Sequence, residues 1–504
     1  MRRRSSSYGP GSSSTRRTMK CTRDVLRGAA VIIVCMPRVS AAQATTTSRP
    51  AYAPERYDED WSFLRNRSKR TDLFDPIKWI PLANEGSWFL TLGGELRERY
   101  QDIRNSEFGF TIPANDRHGY HRIFLIADMH LGPHFRTFVE LVNGEIIGAI
   151  TNPPPAEQDP LDLLQGFADL VLPVSKSGDF TLRVGREEMT LGSARLVSFR
   201  ETPNVRRSFD GVRAFWTAGG IGIDALVVRP VNPRLHVFDD IRDSTQLFWG
   251  VYATGPVSAV KGLSVDLYYL GLDKRNATFA QGVGQERRHT IGARLFGKTT
   301  GFDWHEGRRF RGDRTDNDLR FDWDVEGAFQ FGSFATDAIR AWMISSDWGY
   351  TVFEVPLSPR LGFKADALSG DRNLQDNRLG TFNPLYPALQ YYSQAGLFAP
   401  ANLLSLQPSI TLDLAKDASV NVEWGSLWRE SKADAFYQPA VEPVLGTATA
   451  GRYIGYEASA NLAWQATVHL TVTGTFAHFA PGGSVKNVGG RSGDFILVVG
   501  QFKF

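Results

Sequence analysis

The chain has 504 residues, 22% charged and 42% hydrophobic, with a formal net charge of +3 at pH 7. That charge does not describe a nucleic-acid-binding protein: residues 1–44 hold nine of the 57 basic groups and one of the 54 acidic ones, so residues 45–504 are net −5. Both cysteines, Cys21 and Cys35, also lie in the first 44 residues, so the rest of the chain has no disulfide, no thiolate metal site and no cysteine nucleophile.

Residues 1–44 read as a cleaved secretory signal. Basic residues precede a short apolar run, Ala29 to Met36, and small residues follow at Val39-Ser40-Ala41 and Ala42-Gln43-Ala44. Met19 is an alternative start. The apolar run is far shorter than the roughly 20 residues a membrane-crossing helix needs. Residues 45–87 are polar and irregular, with Trp61, Phe74 and Trp79 as anchors, and read as a periplasmic N-terminal segment.

From Trp88 onward the pattern has period two, which marks strands whose two faces meet different surroundings. The first strand sets Trp88, Leu90, Leu92, Leu96 and Tyr100 against Thr91, Glu95, Arg97, Arg99 and Gln101. The second sets Ile123, Leu125, Ala127 and Met129 against Arg122, Asp128 and His130. The same alternation returns at 323–331, 420–424 and 467–476. About eighteen such segments are expected, starting near residues 88, 117, 133, 160, 178, 208, 220, 244, 262, 287, 321, 337, 357, 405, 417, 450, 466 and 493. The fold class is therefore all-β: a transmembrane antiparallel β-barrel over residues 88–504, with long loops able to fold into the lumen. The connections 187–207 and 369–404 are candidates for that role. The chain ends on an alternating strand, with Ile496, Val498, Phe502 and Phe504 on one face. This ending resembles the signal read by the barrel-assembly machinery.

One stretch stands out chemically. Residues 183–213 hold seven arginines (Arg183, Arg186, Arg195, Arg200, Arg206, Arg207 and Arg213), four acids and no lysine. Guanidinium is a planar fork of donors matched to carboxylate and phosphate oxygens. An arginine on the lipid face near the midplane would cost about 2–4 kcal/mol, so these side chains are expected to face the lumen. Rings of arginine select anions. The acids Glu95, Asp128, Glu140, Glu187 and Glu188 read either as spacers that moderate affinity or, preferably, as partners that neutralise buried like charges.

Tyr57–Trp61, Trp88–Tyr100, the arginine stretch and Gly380–Pro387 together resemble the alginate-export family of outer-membrane barrels, most specifically at Leu191–Arg195 and Pro203–Arg213. The resemblance implies an eighteen-stranded barrel with an electropositive constriction that passes an anionic polysaccharide, alginate in the best-known members. It implies pore-lining roles for Arg97, Arg183, Arg186, Arg195, Arg206, Arg207 and Arg213, and a periplasmic export partner. A porin for small carboxylates or other anions is the alternative function.

An outer-membrane barrel enzyme ranks third. Ser193, Ser198 and Ser208 lie in the arginine stretch without a histidine to activate them. The pairs His118/His121 and His130/His134 do not share a helical face, and His305-Glu306 lacks the second histidine of a zinc-protease motif. No catalytic residue, metal site or cofactor is expected.

Overall fold

A strand side chain has only two sides to face, and here the two sets of side chains differ in polarity. Closing the sheet gives each set its own medium and leaves no backbone edge unpaired. The computed structural model describes residues 49–83, 86–110, 115–148, 153–175, 178–260, 262–297, 321–353, 355–444, 446–449 and 451–504. The leader at 1–44, the alternative start at Met19 and the His305-Glu306 pair lie outside the described residues.

Eighteen strands form one antiparallel barrel. They are β1 (Trp88–Arg104), β2 (Asp116–Leu131), β3 (Phe135–Ile147), β4 (Asp159–Ser175), β5 (Gly178–Glu187) and β6 (Phe209–Ala218). Next come β7 (Ile221–Asn232), β8 (Gln246–Pro256), β9 (Leu263–Phe279), β10 (Gly282–Gly297), β11 (Phe321–Phe334) and β12 (Asp337–Thr351). The last six are β13 (Arg360–Leu368), β14 (Leu403–Ala415), β15 (Ala418–Trp428), β16 (Tyr453–Gln465), β17 (Leu470–Pro481) and β18 (Gly493–Lys503). The barrel closes where β1 pairs with β18, from Glu95 opposite Lys503 to Arg104 opposite Asp494. The expected strand count holds. The largest displacement of a strand start is at β10, which begins at Gly282 rather than near 287.

The polarity is inverted relative to a water-soluble sheet. On β1, Glu95, Arg97 and Arg99 are buried while Leu96 and Tyr100 are exposed. On β2, Leu125 is 52% exposed and Arg122 0%. The apolar set thus forms the outer surface and the charged set the filled interior, as a lipid-embedded barrel requires.

Both ends of the barrel wall lie at one rim, which also carries the turns 132–134, 219–220 and 416–417, while the turns 280–281 and 335–336 lie at the other. At the first of these rims the 3₁₀ turns Arg56–Asp58, Ser62–Arg65 and Arg67–Lys69 and a short strand, Ile80–Ala83, pack on the barrel. Trp79 stacks on Phe89 at 3.8 Å, and Phe74 lies 5.1 Å from Phe504. Arg56 donates to the carbonyls of Gly94 and Phe504, both at 3.0 Å. Tyr57 goes deeper: it is buried edge-on against Phe138 and Phe167, and its hydroxyl donates to the Glu188 carbonyl at 3.0 Å.

Two long loops enter the lumen and join each other. Ser198 N donates to Tyr386 O at 2.9 Å, Tyr386 N to Leu196 O at 2.8 Å, and Ala388 N to Ala194 O at 2.9 Å. The loops 188–208 and 369–402 therefore form one hydrogen-bonded septum inside the barrel.

Candidate functional site

The site is built where β4, β5 and β6 meet the septum. Strand register places Arg183 directly opposite Arg213. Two facing guanidinium groups repel, and the acids beside them prevent this. Arg183 makes a bidentate pair with Asp169 at 2.8 and 2.9 Å, and Glu187 accepts from Arg183 at 3.0 Å and from Arg213 at 3.3 Å. Asp224 completes the row at 2.7 Å from Arg213. The Arg183 guanidinium also lies over the Phe167 ring at 3.7 Å and the Tyr57 ring at 4.5 Å, a cation–π arrangement that suits a desolvated site.

The loop 188–208 is held by arginine at both ends of its path. Arg195 is fully buried and donates to Asp324 at 2.7 Å, to Glu326 at 3.0 Å and to the Tyr391 hydroxyl at 2.8 Å. Gly192 starts this turn with φ +56°, and a Cβ there would lie 2.1 Å from the Tyr252 hydroxyl, so only glycine fits. This accounts physically for the Leu191–Arg195 motif. At the other end, Arg206 pairs with Glu201 and with Glu188 at 3.2 Å, 3.9 Å from Glu95. Arg97 donates to the carbonyls of Glu201 and Pro203 at 2.7 and 3.0 Å and to Asn204 Oδ1 at 3.0 Å. Arg99 donates to the Thr202 carbonyl.

Arg183, Arg195, Arg206, Arg213 and Arg97 thus come together in the lumen, each with a carboxylate partner. Arg186 does not join them. Its position is three residues from Arg183, and strand alternation turns it to the opposite face, where it pairs with Asp210 at 2.7 Å. Arg207 does reach the interior, and differs from the rest. Among the described residues neither Arg207 nor Arg200 has a carboxylate within ion-pair distance. Both line a cavity of about 290 Å³ with Lys274, Asn232, Gln246, Asn383 and Tyr386. Lys274 likewise has no ion-pair partner among the described residues. Burial, reinforced by Arg200, pushes Arg207 down to about 9, which is still above neutral, so the charge is kept. Glu286, the acid in this cavity, is taken by Arg288.

A second cavity of about 450 Å³ holds Arg183, Arg213, Arg294, Glu55 and Asp58. Ser198, Phe199, Glu201, Ala388 and Gln390 line it, while Arg200, Tyr386, Pro387 and Leu389 line the first. The joined loops are therefore the wall between the two.

The sequence reading did not single out Lys274, and it named Arg200 and Arg122 without giving either a pore-lining role. Arg122 pairs with Glu95 and, at 2.7 Å, with Glu201. Its place on the polar face of β2 was legible; its partner in a distant loop was not. The acids act as charge partners in most cases: Glu95 with Arg122, Glu187 with Arg183, Glu188 with Arg206, and Asp128 with Arg136 at 2.8 Å. Glu140 instead accepts from Gln165 at 2.5 Å.

Glu201 makes loop docking sensitive to acid. Burial works against its charge, but Arg122, Arg206 and Arg97 outweigh it and hold the carboxyl well below the usual carboxylate range. A depressed folded value means the stabilisation is complete above the unfolded value, about 4.3, and is lost as pH falls through the folded one. The side chain is 44% exposed, so water screens part of the effect. Through Glu201, protease access to 188–208 is expected to rise as pH falls below about 5; a rise of the same size in Glu201→Gln would contradict this.

A family model described as "Alginate export" matches residues 89–499. No curated protein matches the chain. Among solved structures it is similar to Pseudomonas aeruginosa OpdO, with a TM-score of 0.55 at 12% identity, over 82% of this chain and 97% of that one. The BenF-like porin from Pseudomonas fluorescens Pf-5 gives 0.54 at 10% identity, over 82% and 98%. Pseudomonas aeruginosa OccK2 (OpdF), solved in complex with glucuronate, gives 0.53 at 10% identity, also over 82% and 98%. At such identities the likeness is one of fold. With its closed eighteen-stranded barrel and a family match over most of its length, the chain belongs to the alginate export family of outer-membrane channels.

Proposed function

We propose that this barrel carries an acidic polysaccharide such as alginate outward through the outer membrane. The longer loops of such barrels face outside, and 188–208 and 369–402 leave the wall at the rim opposite Trp88 and Lys503, so that rim and the Arg200–Arg207 cavity are oriented towards the exterior. The observation that carries the reading is that cavity. Three cations, Arg200, Arg207 and Lys274, stand there with no carboxylate at ion-pair distance among the described residues, the one acid of the lining, Glu286, being paired with Arg288, in an interior where the neighbouring arginines are paired. A half-buried charge without an ion-pair partner is partly desolvated, and an entering carboxylate compensates it. Contacts of this kind must stay weak and repeated for a polymer to move. Export also calls for a periplasmic partner that delivers the chain.

The septum favours a second reading, a porin for small uronates. The joined loops leave separate cavities of about 290 and 450 Å³, sized for a sugar acid rather than a chain. The glucuronate bound to OccK2 (OpdF) is a ligand of that class.

Planar bilayer recording separates these readings. Anion selectivity is expected in the unmodified protein, with blockade by polyuronate from the periplasmic side. Blockade by free glucuronate with indifference to the polymer would select the porin reading. Cation selectivity would overturn both.

A further inference from the structure

At the long-loop end of the barrel, the start of β4 meets the loop that follows β7. Asp159 and Asp162 open β4 and are 0% and 2% exposed; Asp240 comes from the loop. Carboxylate oxygens of all three lie within 4.8 Å of one another. Asp162 accepts from the amides of Leu163 at 2.6 Å and Asp240 at 3.0 Å, and Asp240 accepts from the amide of Arg234 at 2.6 Å. The nearest guanidinium, Arg186, is 3.9 Å from Asp162 and is committed to Asp210 at 2.7 Å.

Asp159 carries the argument further. Both of its carboxylate oxygens are buried and have no hydrogen-bond partner; the Leu161 amide lies near but lacks hydrogen-bond geometry. A buried carboxylate with neither donor nor cation, aimed at two others, is an arrangement that folding does not favour by itself. A cation at their centre resolves it.

We propose that Asp159, Asp162 and Asp240 bind a divalent cation of the calcium class. The donors are all oxygens, which fits a hard cation and not zinc or copper. Calcium accepts the irregular geometry of a strand start and a loop, whereas magnesium demands a near-ideal octahedron. The ion ties the loop 233–240 to β4, alongside the hydrogen bond from Phe238 N to Leu161 O at 3.0 Å. The site lies apart from the lumen arginines and does not depend on which solute the channel carries.

The test uses the whole barrel in detergent, free of lipopolysaccharide and stripped with EDTA. Titration with calcium chloride is expected to show one ion per chain with a Kd of about 10⁻⁴ to 10⁻³ M, as for extracellular calcium modules, and a rising melting temperature. Asp159→Asn and Asp240→Asn are each expected to abolish both signals while the barrel stays folded and conducting. Asp273→Asn, which alters an exposed pair with Arg287, is expected to keep both. No calcium uptake by the unmodified protein up to about 10 mM, well above that Kd range, overturns the proposal. So does unchanged uptake in the Asp159→Asn or Asp240→Asn variants.

Discussion

Arg195→Ala is expected to raise single-channel conductance several-fold while leaving the barrel folded. Arg195 is the buried pin of the loop 188–208: its guanidinium meets Asp324, Glu326 and the Tyr391 hydroxyl within 3.0 Å. Removing one member of a buried pair leaves an uncompensated charge, which costs about 3–5 kcal/mol. Part of that is softened here. Arg294 also holds Asp324 at 2.7 Å, and the Tyr268 hydroxyl donates to Glu326 at 2.8 Å. The cost falls on docking of the septum and not on the wall, whose eighteen strands keep their backbone ladder. The two loops share backbone hydrogen bonds at 194–198 and 386–388, so release of one frees the other. Arg195→Lys keeps the charge but not the fork, and an intermediate conductance is expected. Unchanged conductance in a folded Arg195→Ala barrel would show that the septum does not restrict the pore.

Arg206→Glu and Arg207→Glu are expected to differ, although the residues are adjacent. Arg206 sits among Glu188, Glu201 and Glu95. A glutamate there adds a fourth acid to a buried acidic cluster, so the loop is expected to detach and become protease-sensitive. Arg207 has no such partners among the described residues; its side chain reaches only the Ser198 carbonyl at 3.3 Å and the face of Tyr386 at 5.1 Å. Arg207→Glu is therefore expected to leave docking intact and to cut anion selectivity, and adding Arg200→Glu to reverse it. The measurements are reversal potential in a salt gradient and limited proteolysis of the same samples. If Arg206→Glu shifts selectivity as Arg207→Glu does, with the loop still protected, then the division between docking and selecting arginines is wrong.

That division was not visible in the arginine stretch. All seven residues look alike as sequence, and the alginate-export resemblance assigned six of them, with Arg97, one common pore-lining role. Alternation already contained the exception at Arg186, because three residues from Arg183 means the other face of a strand. Arg200 was counted in the stretch but given no pore-lining role, because it belongs to no strand and to neither motif. The metal candidates were sought among histidines, while the acids that converge come from the start of β4 and a loop, 78 residues apart at Asp162 and Asp240.

By itself the sequence determined the barrel, its strand number and which side chains face lipid. These follow from period-two alternation, a property of neighbours along the chain that lipid outside and charge inside make obligatory. Only the tertiary structure decided what each arginine does. A guanidinium buried beside a carboxylate is a fastener, and one without, as at Arg200 and Arg207, is what the proposed function assigns to the anion. The carboxylate that decides between them arrives from far along the chain: Asp324 lies 129 residues from Arg195. Local pattern carries no record of such a pairing, because it is made by barrel closure and by the inward path of two loops.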